Sequence, residues 1–337
     1  MKNEPDNFHI HSSLAYTAYN SIYAAKNREI FLSGKLKEDR IQLAHRHFQE
    51  AQRLRPDGIT NFYRHGMLFG QIEGKTEKAL PLFERAVINW DSLEPAEKEA
   101  RHQEKKNFIK ALYQYAGALL EKGRIKLSLE CIKRCLSEDE KTNYISLCFK
   151  YYALGKINFY TGMYNQAKDA LLFALQCDAN RPEDFVCELL ARTYLALSNP
   201  NRALEIVKKV PEKLRRPYFR WTESDVWIAL KDIGNAKKVL TECIDKDARS
   251  KHKTLIRLAK INYMLGDFSA SLKSAEEAGR FFSEKWGNVL DDALFWQAVN
   301  SYRLGDLASA LNHALELKAI NSRYPKLRLL LEKLEAS

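Results

Sequence analysis

The sequence predicts an all-α protein built from a series of stacked helix-turn-helix hairpins. Glycine (14 residues) and proline (9 residues) are too scarce in a chain of 337 residues for the tight turns of a many-stranded β fold. Long segments rich in Leu, Ala, Lys and Glu carry apolar residues at the three- and four-residue spacing that is typical of helices. A pattern of small residues also recurs along most of the chain, which indicates repeated helix contacts.

The repeated pattern is a small residue, a bulky apolar residue four positions later, and a small or apolar residue three positions beyond that. It is clearest in the stretch from Tyr151 to Pro182, as Ala167, Leu171 and Ala174. Residues three and four apart share one helix face, so each triple predicts a face that a neighbouring helix approaches closely. The eight triples are Ala44/Phe48/Ala51, Ala79/Phe83/Ala86, Ser128/Ile132/Cys135, Ala167/Leu171/Ala174, Ala203/Val207/Val210, Ala236/Leu240/Cys243, Ser271/Ala275/Ala278 and Ala310/Ala314/Leu317. Each triple predicts the second helix of one hairpin.

A glycine stands five positions before most triples and predicts the turn inside the hairpin. These glycines are Gly74, Gly123, Gly162, Gly266 and Gly305. Glycine suits the end of a helix because it adopts positive φ without steric cost. In the sixth hairpin Lys231 stands where the turn glycine is expected.

This pattern resembles the tetratricopeptide repeat family. The resemblance is strongest in Gly155, Gly162, Tyr164 and Ala167, and again over residues 265–268. It covers roughly residues 25–320 and implies an α-solenoid of about eight hairpins in a right-handed superhelix. Successive triples start 33 residues apart at the closest (203 to 236) and 49 apart at the widest (79 to 128), so some spacings exceed the family's usual length of about 34 residues.

The predicted organisation has three parts. Residues 1–24 form an N-terminal segment with the first helix, residues 25–320 form the hairpins, and residues 321–337 form a C-terminal capping helix. The widest interval holds a longer helix near 95–122, whose first turns, AEKEARHQEKK, have no apolar stripe. This extension is either a solvated overhang or a spur on which a partner docks. The acidic segment 137–143 is interpreted as a lengthened loop.

Nothing in the sequence indicates catalysis, a cofactor or a metal. Glycine-rich phosphate loops, GxSxG and HExxH are all missing. The pairs His9/His11 and His45/His47 are poor shared ligands, because residues two apart on a helix point away from each other. The six cysteines are interpreted as reduced thiols in a chain without a secretion signal. The sequence contains no run of 18 consecutive apolar residues that could cross a membrane. From this observation, the missing catalytic motifs and the missing secretion signal, we predict a cytoplasmic protein that is not an enzyme.

The charge is strongly positive and uneven. The formal net charge is +11, and residues 204–260 hold 15 Lys and Arg against 8 Asp and Glu. Such a surface suits an acidic protein partner or a nucleic-acid backbone, although a merely soluble basic surface is the alternative.

In the family that the pattern resembles, ligands usually lie in the groove lined by the first helix of each hairpin. The resemblance therefore implies a partner-binding groove formed by Arg64, Tyr152, Lys156, Tyr160, Arg192, Trp221, Arg257, Lys260, Tyr263, Trp296 and Arg303. Aromatic and basic groups together suit an acidic or helical segment of a partner protein. We expect a non-catalytic scaffold or adaptor within a larger complex; the alternative is a subunit that contacts nucleic acid through residues 204–260. The Lys/Asn set with which the family grips chaperone tails is not in register, so we do not expect that activity.

Overall fold

The computed structural model describes residues 6–177, 183–244 and 247–336. The chain divides into two compact units, Met1–Cys177 (unit 1) and Asp178–Ser337 (unit 2). Within the described residues both units contain helices and no strand. The predicted all-α class is confirmed.

Residues 6–177 of unit 1 contain nine α-helices. They are α1 Phe8–Lys26, α2 Gly34–Leu54, α3 Thr60–Met67, α4 Thr76–Asp91, α5 Pro95–Ala100, α6 His102–Glu121, α7 Ile125–Glu138, α8 Leu147–Tyr160 and α9 Tyr164–Gln176. A short π-helix, Leu68–Ile72, prolongs α3. The helices pair as antiparallel hairpins, α1 with α2, α3 with α4, α6 with α7 and α8 with α9.

The described residues of unit 2 contain nine further α-helices. They are α10 Asp184–Ala196, α11 Pro200–Lys208, α12 Pro217–Ala229, α13 Ile233–Ile244, α14 Lys251–Met264, α15 Phe268–Trp286, α16 Asp291–Arg303, α17 Leu307–Ile320 and α18 Leu327–Glu335. Hairpins form from α10 and α11, α12 and α13, α14 and α15, and α16 and α17. The last helix, α18, packs against α17 and α16, in the stretch where the sequence predicts a capping helix.

All 24 residues of the eight triples are buried. The largest exposed fraction among them is 4%, at Cys243. The aromatic-rich stretch of unit 1 shows how close the contact is. A Cβ atom added to Gly155 would lie 2.6 Å from Cγ of Leu171 and 3.3 Å from the carbonyl oxygen of Ala167. The small residues are therefore required for the approach of α8 to α9, as the triple pattern predicts.

The five predicted turn glycines all have positive φ, between 70° and 83°. Three of the eight hairpins lack this glycine, and two of them, the fifth and the sixth, keep the same turn with other residues. Ser198 and Lys231 occupy the equivalent positions with φ of 55° and 64°. Tertiary packing thus holds non-glycine residues in the left-handed region, at a local cost of about 1–2 kcal/mol each.

The helix predicted near 95–122 is two helices in the structure. The short α5 ends and α6 begins around Arg101, whose φ of −101° and ψ of 24° interrupt the helix. The Arg101 guanidinium bonds Asp57 and Glu104, and Oε1 of Glu104 accepts from the Thr60 hydroxyl at 3.1 Å. The same oxygen lies 3.4 Å from the backbone nitrogens of Ile59 and Thr60, at the start of α3. The start of α6 is therefore anchored to the second hairpin, and only α5, which buries no residue, is an exposed extension.

Candidate partner-binding site

The first helices of the hairpins in unit 2 adjoin one another. Helix α12 contacts α10 and α14, and α14 also contacts α16. Side chains from consecutive first helices can therefore meet on one surface. We call the surface formed by α12, α14 and α16 the first-helix face; the aromatic and basic side chains considered on it are Trp221, Lys253, Arg257, Lys260, Tyr263, Trp296 and Arg303.

One cluster on the first-helix face joins α12 to α14. The Arg257 guanidinium pairs with both carboxylate oxygens of Asp225, at 3.1 and 3.2 Å, and lies 5.6 Å from the centre of the Trp221 ring. The Trp221 indole N–H donates to the Thr254 hydroxyl at 2.8 Å, and the Lys253 ammonium lies 5.8 Å from the same ring. Burial raises the pKa of Asp225, while Arg257 and Lys260 act in the opposite direction. The cluster thus holds an indole ring in a fixed orientation beside two cations, Lys253 and Arg257.

A second cluster joins α14 to α16. The ring centres of Tyr263 and Trp296 are 5.5 Å apart in an edge-to-face arrangement. The Arg303 guanidinium donates to the Tyr263 hydroxyl at 3.0 Å and lies 5.7 Å from the ring centres of Tyr263 and Phe268. These partners of Arg303 are neutral, so they do not offset its positive charge.

The remaining predicted site residue of unit 2 is Arg192, on α10. It lies 3.6 Å from Glu188, which also accepts from the Thr222 hydroxyl of α12 at 2.7 Å. Burial raises the pKa of Glu188. Arg192 is therefore neutralised locally, and it contributes less positive charge than the sequence indicates.

Four predicted site residues belong to unit 1. The Arg64 guanidinium lies 3.7 Å from the centre of the Tyr16 ring of α1. Tyr152 and Lys156 are half-buried on α8, and Tyr160, at the end of that helix, is exposed. Unit 1 therefore has its own pairing of a cation with an aromatic ring, formed by a first helix and the first helix of the preceding hairpin.

Sequence reasoning missed the partners that orient these side chains. Asp225, Glu188 and Tyr16 were not predicted, although Asp225 stands four residues after Trp221 and thus on the same face of α12. That spacing could have indicated Asp225. The contacts of Trp221 with Thr254 and of Arg64 with Tyr16 join different helices and have no local signal.

The basic residues of 204–260 divide into two groups. Five form ion pairs: Arg215 and Arg220 with Glu223, Arg216 with Asp184, Lys251 with Glu277, and Arg257 with Asp225. Nine others form no ion pair with any residue that the structure describes: Lys208, Lys209, Lys213, Lys231, Lys237, Lys238, Arg249, Lys253 and Lys260. The arginines thus stabilise the fold, and the free charge is carried mainly by lysines.

Histidines of unit 1 form a polar network that joins the first two hairpins. Nδ1 of His45 lies 2.9 Å from Nε2 of His65, and Nε2 of His45 lies 2.8 Å from Glu73. Nδ1 of His11 lies 2.8 Å from Nδ1 of His47. The histidines of one HxH pair thus do not share a partner: His45 contacts His65, whereas His47 contacts His11. Burial and the neighbouring His45 lower the pKa of His65 to about 3, so the His65 ring is neutral at neutral pH.

The described residues offer little reactive chemistry. They contain no group of three or more His, Cys, Asp or Glu side chains placed to hold a metal ion. The cysteines are free thiols, and burial raises the pKa of Cys131 to about 11 and of Cys187 to about 12, which suppresses the nucleophilic thiolate. No helix within residues 6–177, 183–244 and 247–336 combines the length and the hydrophobicity needed to span a bilayer.

Paired helices that stack through small residues define an α-helical repeat protein. Residues 109–142, which include most of α6 and all of α7, match the family model described as tetratricopeptide repeat. The resemblance to the tetratricopeptide repeat family, which the residue pattern indicated, is confirmed over this segment. No curated protein matches the sequence.

Solved structures share the fold at low sequence identity. A tetratricopeptide repeat protein from Parabacteroides merdae has a TM-score of 0.57 at 11% identity, over 82% of this chain and 99% of that one. The Cut9–Hcn1 hetero-tetramer of the APC/C has a TM-score of 0.56 at 13% identity, over 88% of this chain and 52% of that one. The human IFIT1 dimer with PPP-AAAA has a TM-score of 0.50 at 15% identity, over 95% of this chain and 65% of that one. At such identities the similarity concerns the fold alone.

Proposed function

We propose that the protein is a non-catalytic scaffold or adaptor that binds an acidic segment of a partner protein on the first-helix face of unit 2. The observation that carries the proposal is the row of oriented aromatic rings and cations from three consecutive first helices. Trp221 and Tyr263 are held by hydrogen bonds, so binding costs them little conformational entropy. Aromatic and Arg side chains fixed in this way are typical anchors of protein interfaces.

The charge of the row favours an acidic ligand. Asp225 pairs with Arg257, but Lys253, Lys260 and Arg303 form no ion pair with any described residue. The excess of positive charge beside apolar rings suits a segment in which Asp or Glu alternates with aliphatic or aromatic residues. The charges would mainly raise the association rate, and the rings would supply most of the affinity.

The test is to select peptides from a random library on the full chain and to measure the affinity of the selected peptides for variants. Lys253→Glu with Lys260→Glu should weaken binding by at least about tenfold. The matched control, Lys238→Glu with Lys273→Glu, makes the same charge change at exposed positions of the second helices α13 and α15, and should leave binding nearly unchanged. Arg257 is a poor probe, because its replacement would leave Asp225 unpaired. Equal losses in both double variants, or selected peptides without acidic residues, would contradict the proposal.

A second candidate is a nucleic-acid-contacting subunit that uses the basic region 204–260. The nine cations without ion pairs favour it, because lysines bind phosphates as point charges. The human IFIT1 dimer with PPP-AAAA shares this fold. Salt separates the two candidates. Binding to a phosphate backbone through several lysines would fall by orders of magnitude between about 50 and 200 mM salt, whereas a peptide anchored by aromatic rings would lose much less affinity.

A further inference from the structure

Unit 2 contains a cavity that is separate from the first-helix face. It lies between the C-terminal part of α15, the loop 288–290, and helices α16 and α17, and its volume is about 230 Å³. Val289, Leu290 and Leu294 form an apolar wall. The polar side chains around it are those of Arg280, Ser283, Gln297, His313 and Glu316.

A local lengthening of the repeat builds this cavity. Helix α15 has 19 residues, against 12 in α13 and 14 in α17. The extra length carries Ser283 and ends at Gly287, whose positive φ of 69° turns the chain back towards α16. At Gly279 the two helices are close, since an added Cβ would lie 3.3 Å from that of Ala293. The helices therefore meet at Gly279, and the loop that follows α15 closes the cavity beyond that contact.

The polar groups of the cavity are uncommitted. The side chains of Arg280, Ser283, Gln297 and Glu316 make no hydrogen bond or ion pair with any described residue. Arg280 and Glu316 line the same cavity without pairing with each other, so their opposite charges remain separate. Nδ1 of His313 is buried and has no hydrogen-bond partner among the described residues. Arg280, Ser283 and Glu316 are exposed, whereas Gln297 and His313 are half-buried. The two half-buried side chains point to a ligand, because polar groups that are removed from water are normally paired.

We propose that this cavity binds a free α-amino acid with an aliphatic side chain. The guanidinium of Arg280 and the amide of Gln297 would bind the carboxylate. Glu316 would bind the ammonium group, and Val289, Leu290 and Leu294 would contact the aliphatic side chain. Each charge of the zwitterion thus has an opposite charge in the cavity, and the apolar part of the ligand has an apolar wall.

The size of the cavity supports this class of ligand. At about 30 Å³ for each water-sized group, the cavity accommodates roughly eight such groups, close to a valine or a leucine. Drug-sized ligands occupy pockets of about 300–1,000 Å³, which is larger. Arg280 and Glu316 are exposed at the rim, so their attraction for the ligand is screened and specificity depends on satisfying both charges together.

Calorimetric titration of the full chain with L-leucine tests the proposal. We expect saturable binding of one equivalent, and binding at least about tenfold weaker for N-acetyl-L-leucine, which lacks the ammonium, and for L-leucinamide, which lacks the carboxylate. Arg280→Gln and Glu316→Gln should each weaken leucine binding by about tenfold or more. The control is Arg323→Gln, an exposed charge on the same unit outside the cavity, which should bind leucine as the wild type does.

Four outcomes would overturn the proposal: no heat of binding at millimolar leucine, unchanged binding by both cavity variants, equal binding of leucinamide and leucine, or equal binding of the N-acetylated ligand. The last outcome would assign the cavity to the C-terminal residue of a peptide. Circular dichroism of each variant identifies one that fails to fold, and the other cavity variant and the two leucine derivatives then still decide the question. None of these results depends on the first-helix face, so this proposal and the proposed function can fail independently.

Discussion

Lys150 and Asp139 form an ion pair in which both side chains are fully buried. Nζ of Lys150 lies 2.8 Å from Oδ2 of Asp139. The same carboxylate accepts hydrogen bonds from the backbone N–H groups of Tyr144 and Ile145 and from the hydroxyl of Thr142. The pair therefore fixes the lengthened loop between α7 and α8. At this place in unit 1 a buried ion pair has the role that a short turn has elsewhere.

Removing one partner of this pair should be costly. Lys150→Met leaves the Asp139 carboxylate without its cation in a site that water does not reach, and we expect a loss of about 3–5 kcal/mol in the free energy of unfolding. The double variant with Asp139→Asn should recover part of this loss, because the Asn carbonyl can still accept from the loop N–H groups. Urea denaturation of the three proteins measures both effects. A loss below about 1 kcal/mol for Lys150→Met would mean that the pair is not buried in solution.

Asp139 should also contribute to the acid sensitivity of the protein. Burial on its own would raise the pKa of Asp139, but the hydrogen bonds from Lys150, Ile145, Thr142 and Tyr144 bring it below its ordinary value. A carboxyl group with a depressed pKa stabilises the fold above its unfolded pKa of about 3.9, and this contribution is lost as the pH falls through the folded pKa. The difference in unfolding free energy between wild type and Asp139→Asn should therefore be constant near neutral pH and shrink below about pH 4. A difference independent of pH down to about pH 2 would show that the pKa of Asp139 is not lowered in the fold.

Two helix glycines provide a matched pair of substitutions. Gly155→Ala places a methyl group 2.6 Å from Leu171, and we expect a loss of about 1–3 kcal/mol in stability from overpacking. Gly117→Ala on α6 meets nothing within 4 Å and should gain about 0.5–1 kcal/mol, because alanine favours the helix. Thermal unfolding of both variants measures the contrast. Equal effects would contradict the close approach of α8 and α9.

The left-handed conformation of Lys231 predicts a stabilising substitution. Lys231→Gly removes a Cβ that is unfavourable at a φ of 64°, and we expect a gain of about 0.5–1 kcal/mol after the greater flexibility of glycine in the unfolded chain is counted. The control is Lys238→Gly in the middle of α13, which should lose about 1 kcal/mol. Chemical denaturation distinguishes the two, and a loss at both positions would indicate that Lys231 is not left-handed in solution.

The sequence predicted the hairpins because their signals are local. Each triple lies on one helix, and each turn glycine lies five residues before its triple, so spacing alone locates them. The sequence did not indicate the break at Arg101 within the helix predicted near 95–122, because this break involves Asp57, more than 40 residues earlier. The site shows the same limit. The sequence identified the types of residue on the first helices, but Thr254 beneath Trp221 and the uncommitted groups around Arg280 depend on which helices become neighbours.

The contact of Glu104 with the start of α3 has a consequence for the order in which the protein is assembled. Helix α3 has no side-chain cap from Ile59, the residue before it, and Glu104 supplies one from 44 residues further along the chain. During synthesis a nascent chain that has reached Asp91 already contains both helices of the second hairpin, yet it lacks the carboxylate that completes the first of them. The second hairpin therefore obtains all of its hydrogen bonds only after the start of α6, in the third hairpin, has been synthesised.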